Sequence, residues 1–402
     1  MTVPFNSLKP AEDSADVKAA IDRVIASGWF VLGPEVDAFE SEFAVASGVD
    51  HVVGVGTGTD AIMLIFRALG IGAGDEVITP PLSAAYSALA VMMAGARPVF
   101  ADIDPERLTL DPRAVEAAIT PRTRALLPVH LYGQPADMRP LEALAARHSL
   151  ALVEDAAQSQ LATAGGRPVG TFGIAAATSF YPTKNLGALG DGGAVLTRDA
   201  QLAARLKRLR NGGQTSRYHH QEPGVNTRLD EIQAAILRAR LRYLPQWTAK
   251  RRSIAARYRA SLNANAAARG AHREADSASR AFGEADATSR AFGEGDATSR
   301  AFGEGAKIIV PREFDAGHVY HLFPLLAEAR DRFQAHMTGQ GVETLIHYPV
   351  PIPRQPALVS TSPAMCPVAD HVCAQVVSLP MYPGLSDEAV ATVIEAVTTF
   401  SV

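Results

Sequence analysis

Hydrophobic positions along the chain follow two rhythms. From Val17 to Phe43 they recur at helical spacing, and Gly28 and Gly33-Pro34 interrupt the pattern as a turn between two helices. From His51 onward short β-rich runs alternate with Ala/Leu-rich helical stretches. HVVGVG at 51–56 precedes a helix in which Ile62, Ile65, Phe66 and Leu69 fall at helical spacing, and EVITP at 76–80 follows it. PVFADI at 98–103, RALLPVHL at 124–131, LALVED at 150–155, ATSFYP at 177–182 and AVLTR at 194–198 continue the series. Strands joined by crossover helices predict an α/β fold, with a mostly parallel sheet covered on both faces. Such sheets bind ligands beyond the carboxyl ends of their strands, which singles out residues 56–60, 81–86, 155–158 and 183–185.

The rhythm changes after a long helical segment at about 228–262. From Ala264 to Gly305 the residues Ala, Asp, Glu, Gly, Ser and Thr dominate, and SRAFGE recurs at 279, 289 and 299. A period of ten matches none of the common solenoid or propeller repeats, and one Phe per copy buries little surface, so an insertion at about 275–305 is expected to be solvated and disordered. From Lys307 onward IIVP, YHLFPLL and a final helix from about Asp387 predict a smaller αβ domain. The expected organisation is an N-terminal arm and large domain over 1–245 and a smaller C-terminal domain over 246–402.

The 402 residues are 47% hydrophobic with a formal net charge of −4, a globular composition long enough for two or three domains at roughly 100–200 residues each. A nearly balanced charge lacks the basic footprint of proteins that neutralise many phosphates, which argues against a nucleic-acid partner. No run approaches the ~20 apolar residues of a membrane helix, and the opening MTVPFNSLKP lacks the pattern of an export signal. Cys366 and Cys373, seven apart, fit neither a disulfide framework nor paired zinc-ligand spacing; a reducing cytoplasm is the expected setting.

Three segments carry candidate chemistry. GVGTGTDA at 54–61 places the N–H groups of Gly58, Thr59 and Asp60 at a helix N-terminus, a phosphate-holding turn. It is not the dinucleotide fingerprint, because Thr59 stands where the last glycine belongs; alone it fits a ligand-free strand-to-helix turn equally well. Asp155 closes LALVED and is followed by Gln158. A strand-end carboxylate is either paired with a cation or a helix N-cap. In SFYPTKNLGALGDGG at 179–193 an apolar strand ends at Lys184, beside Ser179, Thr183 and several glycines. A desolvated lysine has a lowered pKa and condenses with aldehydes. Phosphate turn, strand-end carboxylate and enclosed amine together are what pyridoxal 5'-phosphate requires. His318 and His321 could share a helix face but lack a third metal ligand; His219-His220 reads as a loop pair, and neither a nucleophile elbow nor a Walker lysine motif is present.

The motifs GTGTDA, PVFADID, LPVHLYGQPADM, EDAAQS, SFYPTKNLGALGDGG, RNGGQTSRYHH, NTRLDEIQAAI and HYPVP, spread from about Trp29 to Gln355, resemble those of the DegT/DnrJ/EryC1/StrS sugar aminotransferases. The resemblance implies the aspartate aminotransferase type I fold. It implies that Lys184 binds the cofactor aldehyde, Asp155 pairs with the pyridine nitrogen and Gln158 lies near the ring hydroxyl. Ser179 and the Gly58, Thr59 and Asp60 turn would hold the phosphate. Asn226 in GVNTRLDE matches the asparagine that completes the neighbouring subunit's phosphate site, which implies a homodimer with shared active sites. Tyr218 and His347 match positions that face the nucleotide sugar. The implied reaction is amino transfer from an amino acid, by family analogy L-glutamate, to a ketosugar on a nucleotide diphosphate. YGQPADM and HYPVP lean toward the 3-position of a dTDP-linked 3-keto-6-deoxyhexose; 4-keto amination and a non-catalytic regulatory protein that keeps the cofactor are the alternatives. Ala84 in PPLSAAYS stands where relatives often carry a stacking aromatic, leaving Tyr86 or no stack, and Pro353 replaces the last His of the HYPxPxH pattern. Lys184 argues against the family's sugar dehydratases, which have His there, and the missing glycine argues against a nicotinamide dehydrogenase.

Overall fold

The two interrupted helical stretches fold as α1 (Ser14–Ser27) and α2 (Pro34–Ser47) in a computed structural model that describes residues 2–9, 11–280, 308–358 and 365–400. Gly28 ends α1 in the left-handed region, at φ 66°, and Pro34 opens α2 at a position where its missing N–H costs nothing. Each predicted apolar run then becomes a strand of one seven-stranded sheet: β1 (His51–Val55), β2 (Glu76–Thr79), β3 (Arg97–Phe100), β4 (Thr123–Leu126), β5 (Ala151–Asp155), β6 (Ala175–Ser179) and β7 (Gly193–Thr197), in the order 1-7-6-5-4-2-3. Only β7 runs against its neighbours β1 and β6, so the other strands all end on one edge.

The crossover helices are α3 (Gly58–Ala68), α4 (Tyr86–Met93), α5 (Pro112–Ala118), α6 (Met138–His148) and α7 (Ala200–Leu209). Every residue of α3 from Ala61 to Phe66 is buried, because the helix packs on β6 and β7 with one side and on α4 and α7 with others. A central helix of this kind fixes its own N-terminus rigidly at the sheet edge.

The long helical segment after residue 228 divides into α8 (Glu231–Leu241) and α9 (Leu244–Arg280), with Pro245 in the first turn of α9 where proline is tolerated. The expected insertion at 275–305 lies outside the described residues from 281 on. The chain then forms a three-stranded antiparallel sheet, β8 (Ile308–Ile309), β9 (Phe323–Ala327) and β10 (Val376–Leu379), with α10 (Arg330–Gly339), α11 (Pro367–Gln375) and α12 (Asp387–Thr399). Its core joins Tyr258 of α9 to Phe323, Phe333, Val390 and Phe400. Val3 belongs to this core as well, and pairs as an isolated bridge with Val342. A third cluster, in which Leu82, Phe100 and Tyr132 meet Leu322, Ile352 and the two thiols, welds the C-terminal segment to the large sheet. Cys366 and Cys373 are free and buried, and burial pushes both thiols up to about 12. Among the described residues no helix is long and apolar enough to cross a membrane.

Candidate active site

Three strand ends converge on one edge, where Ser179 of β6 and Val55 of β1 both stand opposite Gly193, the first residue of β7. The approach is close enough that a Cβ on Gly193 would lie 2.3 Å from the Thr57 carbonyl carbon, and one on Gly58 would lie 2.9 Å from Ser179 Cβ. Thr57 caps α3: its hydroxyl accepts the Asp60 N–H (3.0 Å) and donates to the Asp60 carboxylate (2.9 Å). The Thr227 hydroxyl also donates to that carboxylate (2.8 Å) while accepting the Gly56 N–H (2.9 Å). The expected turn therefore narrows. The Asp60 N–H is consumed by the cap and its side chain braces the turn, leaving the N–H groups of Gly58 and Thr59 without a partner among the described residues, next to Ser179.

At the next strand end Asp155 is buried. Its Oδ1 accepts the Ala157 N–H (3.0 Å) and its Oδ2 accepts the Ser87 hydroxyl (2.7 Å). Its backbone is paired to the 128–130 segment on both sides, through Asp155 N–H to Pro128 O and His130 N–H to Asp155 O. That segment is itself anchored by His130, whose Nδ1 accepts the Ala136 N–H (3.0 Å); the ring proton is thereby left on Nε2, which donates to the fully buried Glu154 (3.1 Å). Glu154 also accepts the N–H groups of Gly170, Phe172 and Gly173. Gln158 is held between the Tyr132 N–H (2.7 Å) and the Tyr348 hydroxyl (3.2 Å). Burial pushes the Tyr348 phenol up to about 12, with Asp155 and Tyr86 adding to the rise.

Lys184 sits partly buried in the loop after β6, its N–H bonded to Tyr181 O (2.8 Å). The loop closes tightly: a Cβ on Gly187 would lie 2.5 Å from Pro182 O, and the Ala188 N–H returns to Phe180 O. Burial lowers the Lys184 ammonium to about 8, against the opposing pull of the Asp155 charge, and no ion pair holds it among the described residues. His347 and His321 both feel the Lys184 charge. Burial first, and Lys184 second, lower His347 to about 4 and hold His321 well below its ordinary value, so both rings are neutral. His347 Nδ1 lies 3.1 Å from the Ser378 hydroxyl, and the Tyr132 hydroxyl donates to the His347 carbonyl.

Lys184, Asp155, Gln158, Ser179, Gly58, Thr59 and His347 thus gather at one edge, with Asp60 behind them. Tyr218 and Asn226 do not join them within one chain. Tyr218 is 76% exposed at the tip of the hairpin formed by Gln214–Ser216 and His219–His220, its ring under the Arg217 guanidinium, and Asn226 is exposed one residue before Thr227. His318 and His321 lie on irregular backbone rather than a helix face. His318 Nδ1 accepts the Tyr320 N–H, and no metal-ligating cluster exists among the described residues. Pro353 is buried in a short 3-10 turn, and Tyr86 is exposed. Ser87, Tyr348 and Thr227 are site residues that local sequence patterns do not single out, and His321, read from the sequence only as a neighbour of His318, joins them.

Two free N–H groups and a hydroxyl at a crevice that admits no Cβ, a hydrogen-bonded carboxylate, and a low-pKa amine are the donor set that pyridoxal phosphate needs, and the residues present fit it.

Comparison with known proteins identifies the family. The family model of the DegT/DnrJ/EryC1/StrS aminotransferase family matches residues 11–285 and 298–398. A dTDP-3-amino-3,4,6-trideoxy-alpha-D-glucose transaminase of Streptomyces venezuelae is 44% identical over 399 residues, 98% of this chain and 95% of the relative. The erythromycin biosynthesis sensory transduction protein EryC1 of Saccharopolyspora erythraea is 45% identical over 401 residues, covering 98% of each chain. The crystal structure of S. venezuelae DesV in complex with a ketimine intermediate superposes with a TM-score of 0.86 at 43% identity, covering 100% of both chains. The chain belongs to the DegT/DnrJ/EryC1/StrS aminotransferase family.

Proposed function

We propose that this chain is a pyridoxal-phosphate aminotransferase that moves an amino group from an amino acid, L-glutamate by family analogy, to the 3-keto carbon of a dTDP-linked 6-deoxyhexose. The observation that carries the reading is the partly buried Lys184, lowered to about 8 and facing Asp155. The dTDP-3-amino sugar activity of the S. venezuelae relative supports the 3-position over the 4-position. Incubation with glutamate and a panel of dTDP- and UDP-linked 3-keto and 4-keto sugars, read by product mass spectrometry, tests it. Amination of 4-keto sugars alone would reassign the carbon, and no amination anywhere in the panel would return the chain to a regulatory role.

Bound at this edge, the cofactor supplies an electron-withdrawing ring that acidifies the Cα–H of the attached amino acid. The chain does the rest. Gly58 and Thr59 N–H groups and the Ser179 hydroxyl hold the phosphate at the positive end of α3. Asp155 would hold the proton of the ring nitrogen, and Gln158 would be available to the ring hydroxyl. Lys184 Nζ, deprotonated above about pH 8, takes and returns the proton at the reacting carbons. The neutral His347 offers the sugar a polar group without charge.

Ser87 acts through Asp155. One hydrogen bond to a charged group is worth about 1.5 kcal/mol, so Ser87→Ala is expected to lower kcat about tenfold with little change in melting temperature. Gly58→Ala places a Cβ 2.9 Å from Ser179 Cβ. Overpacking of about 1–3 kcal/mol is expected to weaken cofactor retention about tenfold in an absorbance titration, and an unchanged Kd would remove Gly58 from the cradle.

We further propose that two copies pair across the face carrying Asn226, so that Asn226 and Tyr218 of one copy serve the site of the other. The support is the exposed Trp29-Phe30-Val31 segment beside it, 56%, 51% and 40% exposed, which bonds to Asp230 and Glu231. Residues 1–245 form the cofactor-binding unit and 246–402 the smaller one in this reading, with Val3 the exception noted above. Two buried free thiols support a cytoplasmic setting.

A further inference from the structure

We infer that His321 is a positioning residue for Lys184, acting as a neutral imidazole that donates from Nδ1 to Asn185, the residue next along the chain. The inference rests on the assignment of Lys184 made above. The side-chain amide of Asn185 donates from Nδ2 to the Val319 carbonyl (3.0 Å), which leaves its Oδ1 to accept. The His321 Nδ1, 3.2 Å from that oxygen, must therefore carry the ring proton. Both side chains are buried, at 4% and 6% exposure.

The loop bearing His321 is fixed from the other side by α9. The buried Arg251 donates from Nη1 to the carbonyls of Tyr320 (3.2 Å), His321 (3.3 Å) and Met381 (2.7 Å), and Arg252 Nε donates to the His318 carbonyl (2.9 Å). No carboxylate pairs with Arg251 among the described residues, and its Nε has no partner. A buried guanidinium spent wholly on carbonyls is costly; here it binds three carbonyls on two separate segments, one of which carries His321.

The charges around the clamp explain its composition. His321 is faced by Lys184, Arg251 and His347, and burial with these groups keeps it uncharged. Lys184 is faced by Asp155, His321 and His347, of which only Asp155 carries an opposing charge. Asparagine at 185 therefore anchors the lysine loop without adding a second anion. An aspartate in its place would still accept from the neutral, buried His321 but would add a second anion beside Lys184, hold the proton on Lys184 and remove the free amine.

Three substitutions and one spectrum test this. In Asn185→Asp the pH at which Lys184 of the cofactor-free protein becomes reactive toward an acylating reagent, read by peptide mass spectrometry, is expected to rise by about one unit or more above 8. Its kcat at about pH 7.5 is expected to fall about tenfold or more, with KM for the amino acid within about threefold. His321→Leu is expected to lose kcat similarly, and His321→Gln, which keeps an N–H donor, to recover about a third or more of it. In the unsubstituted holoenzyme labelled with 15N-histidine, His321 should show the neutral Nδ1–H tautomer with no titration between about pH 5.5 and 8.5. An Nε2–H tautomer, a titration in that range, or an unmoved Lys184 midpoint in a stably folded Asn185→Asp protein would overturn the inference. Should the substituted proteins misfold, the tautomer alone decides. Full turnover by Lys184→Ala would instead remove the assignment of Lys184, which separates the two failures.

Discussion

Lys184→Ala is expected to abolish amino transfer, with kcat falling by about a thousandfold or more, since a positioned general acid-base alone contributes about 10²–10⁴ and the same residue also anchors the cofactor. The visible absorption of the loaded protein, and its bleaching by borohydride, should disappear with it; a variant that keeps both would exclude Lys184. The lowered pKa gives the effect a pH signature. The free amine does the work once the amino acid has displaced it from the cofactor, so kcat of the unsubstituted enzyme should rise with pH and level off above about 8. Stability carries the opposite face of the same shift. Between about pH 8 and the ordinary lysine value near 10.4, the unfolded chain binds more protons than the folded one, so stability increases with pH across that window. Below it the full burial penalty applies. Cofactor-free Lys184→Met should therefore melt higher than the unsubstituted protein at about pH 7, and the gap should narrow by about pH 10 in calorimetry. An equal gap at both pH values would show that Lys184 is not the strained cation.

Asp155→Asn is the second large effect. The amide oxygen can still accept the Ala157 N–H while the amide NH2 donates to the Ser87 hydroxyl in place of accepting from it, so the fold should survive with a small change in melting temperature. What is lost is the charge aimed at the ring nitrogen, and a preorganised electrostatic partner of this kind is worth about 10²–10³ in kcat. Removing that charge also takes away the one influence that raises the Lys184 pKa, so the rising limb of the pH profile should move to lower pH. Activity within about tenfold of the unsubstituted enzyme, with an unmoved limb, would show that Asp155 does not face the reacting centre.

Much of this was legible in the chain. Strands buried on both faces read as unbroken apolar runs, and their ends mark the site edge, so LALVED, ATSFYP and AVLTR located Asp155, Ser179 and the Lys184 loop from pattern alone. What resisted reading were contacts made at long separation. Ser87 meets Asp155 across 68 residues, Gln158 meets Tyr348 across 190, and Thr227 meets Asp60 across 167, and no local period encodes any of them. Asp60 is a different case: the spacing Thr57-x-x-Asp60 is that of a capping box, a local signal that assigns its N–H to the cap rather than to a ligand. His321 reads as a helix-face neighbour of His318 only while its backbone is assumed helical. Arg251 is hidden by its company, one cation in the run KRR whose burial depends on a wall formed some 70 residues later.

Phe5 meets Glu343 across 338 residues, beside the bridge from Val3 to Val342. At about 5–20 residues per second of synthesis, tens of seconds separate the two halves of that contact. Every pairing of the seven-stranded sheet, by contrast, lies between residues 51 and 197. The nascent chain can therefore complete the sheet, the α3 turn and the Lys184 loop while residues 3–5 still await their partners. The wall that supplies His321 and His347 arrives last, so the crevice is built open and is closed only when the final quarter of the chain folds back onto its first residues.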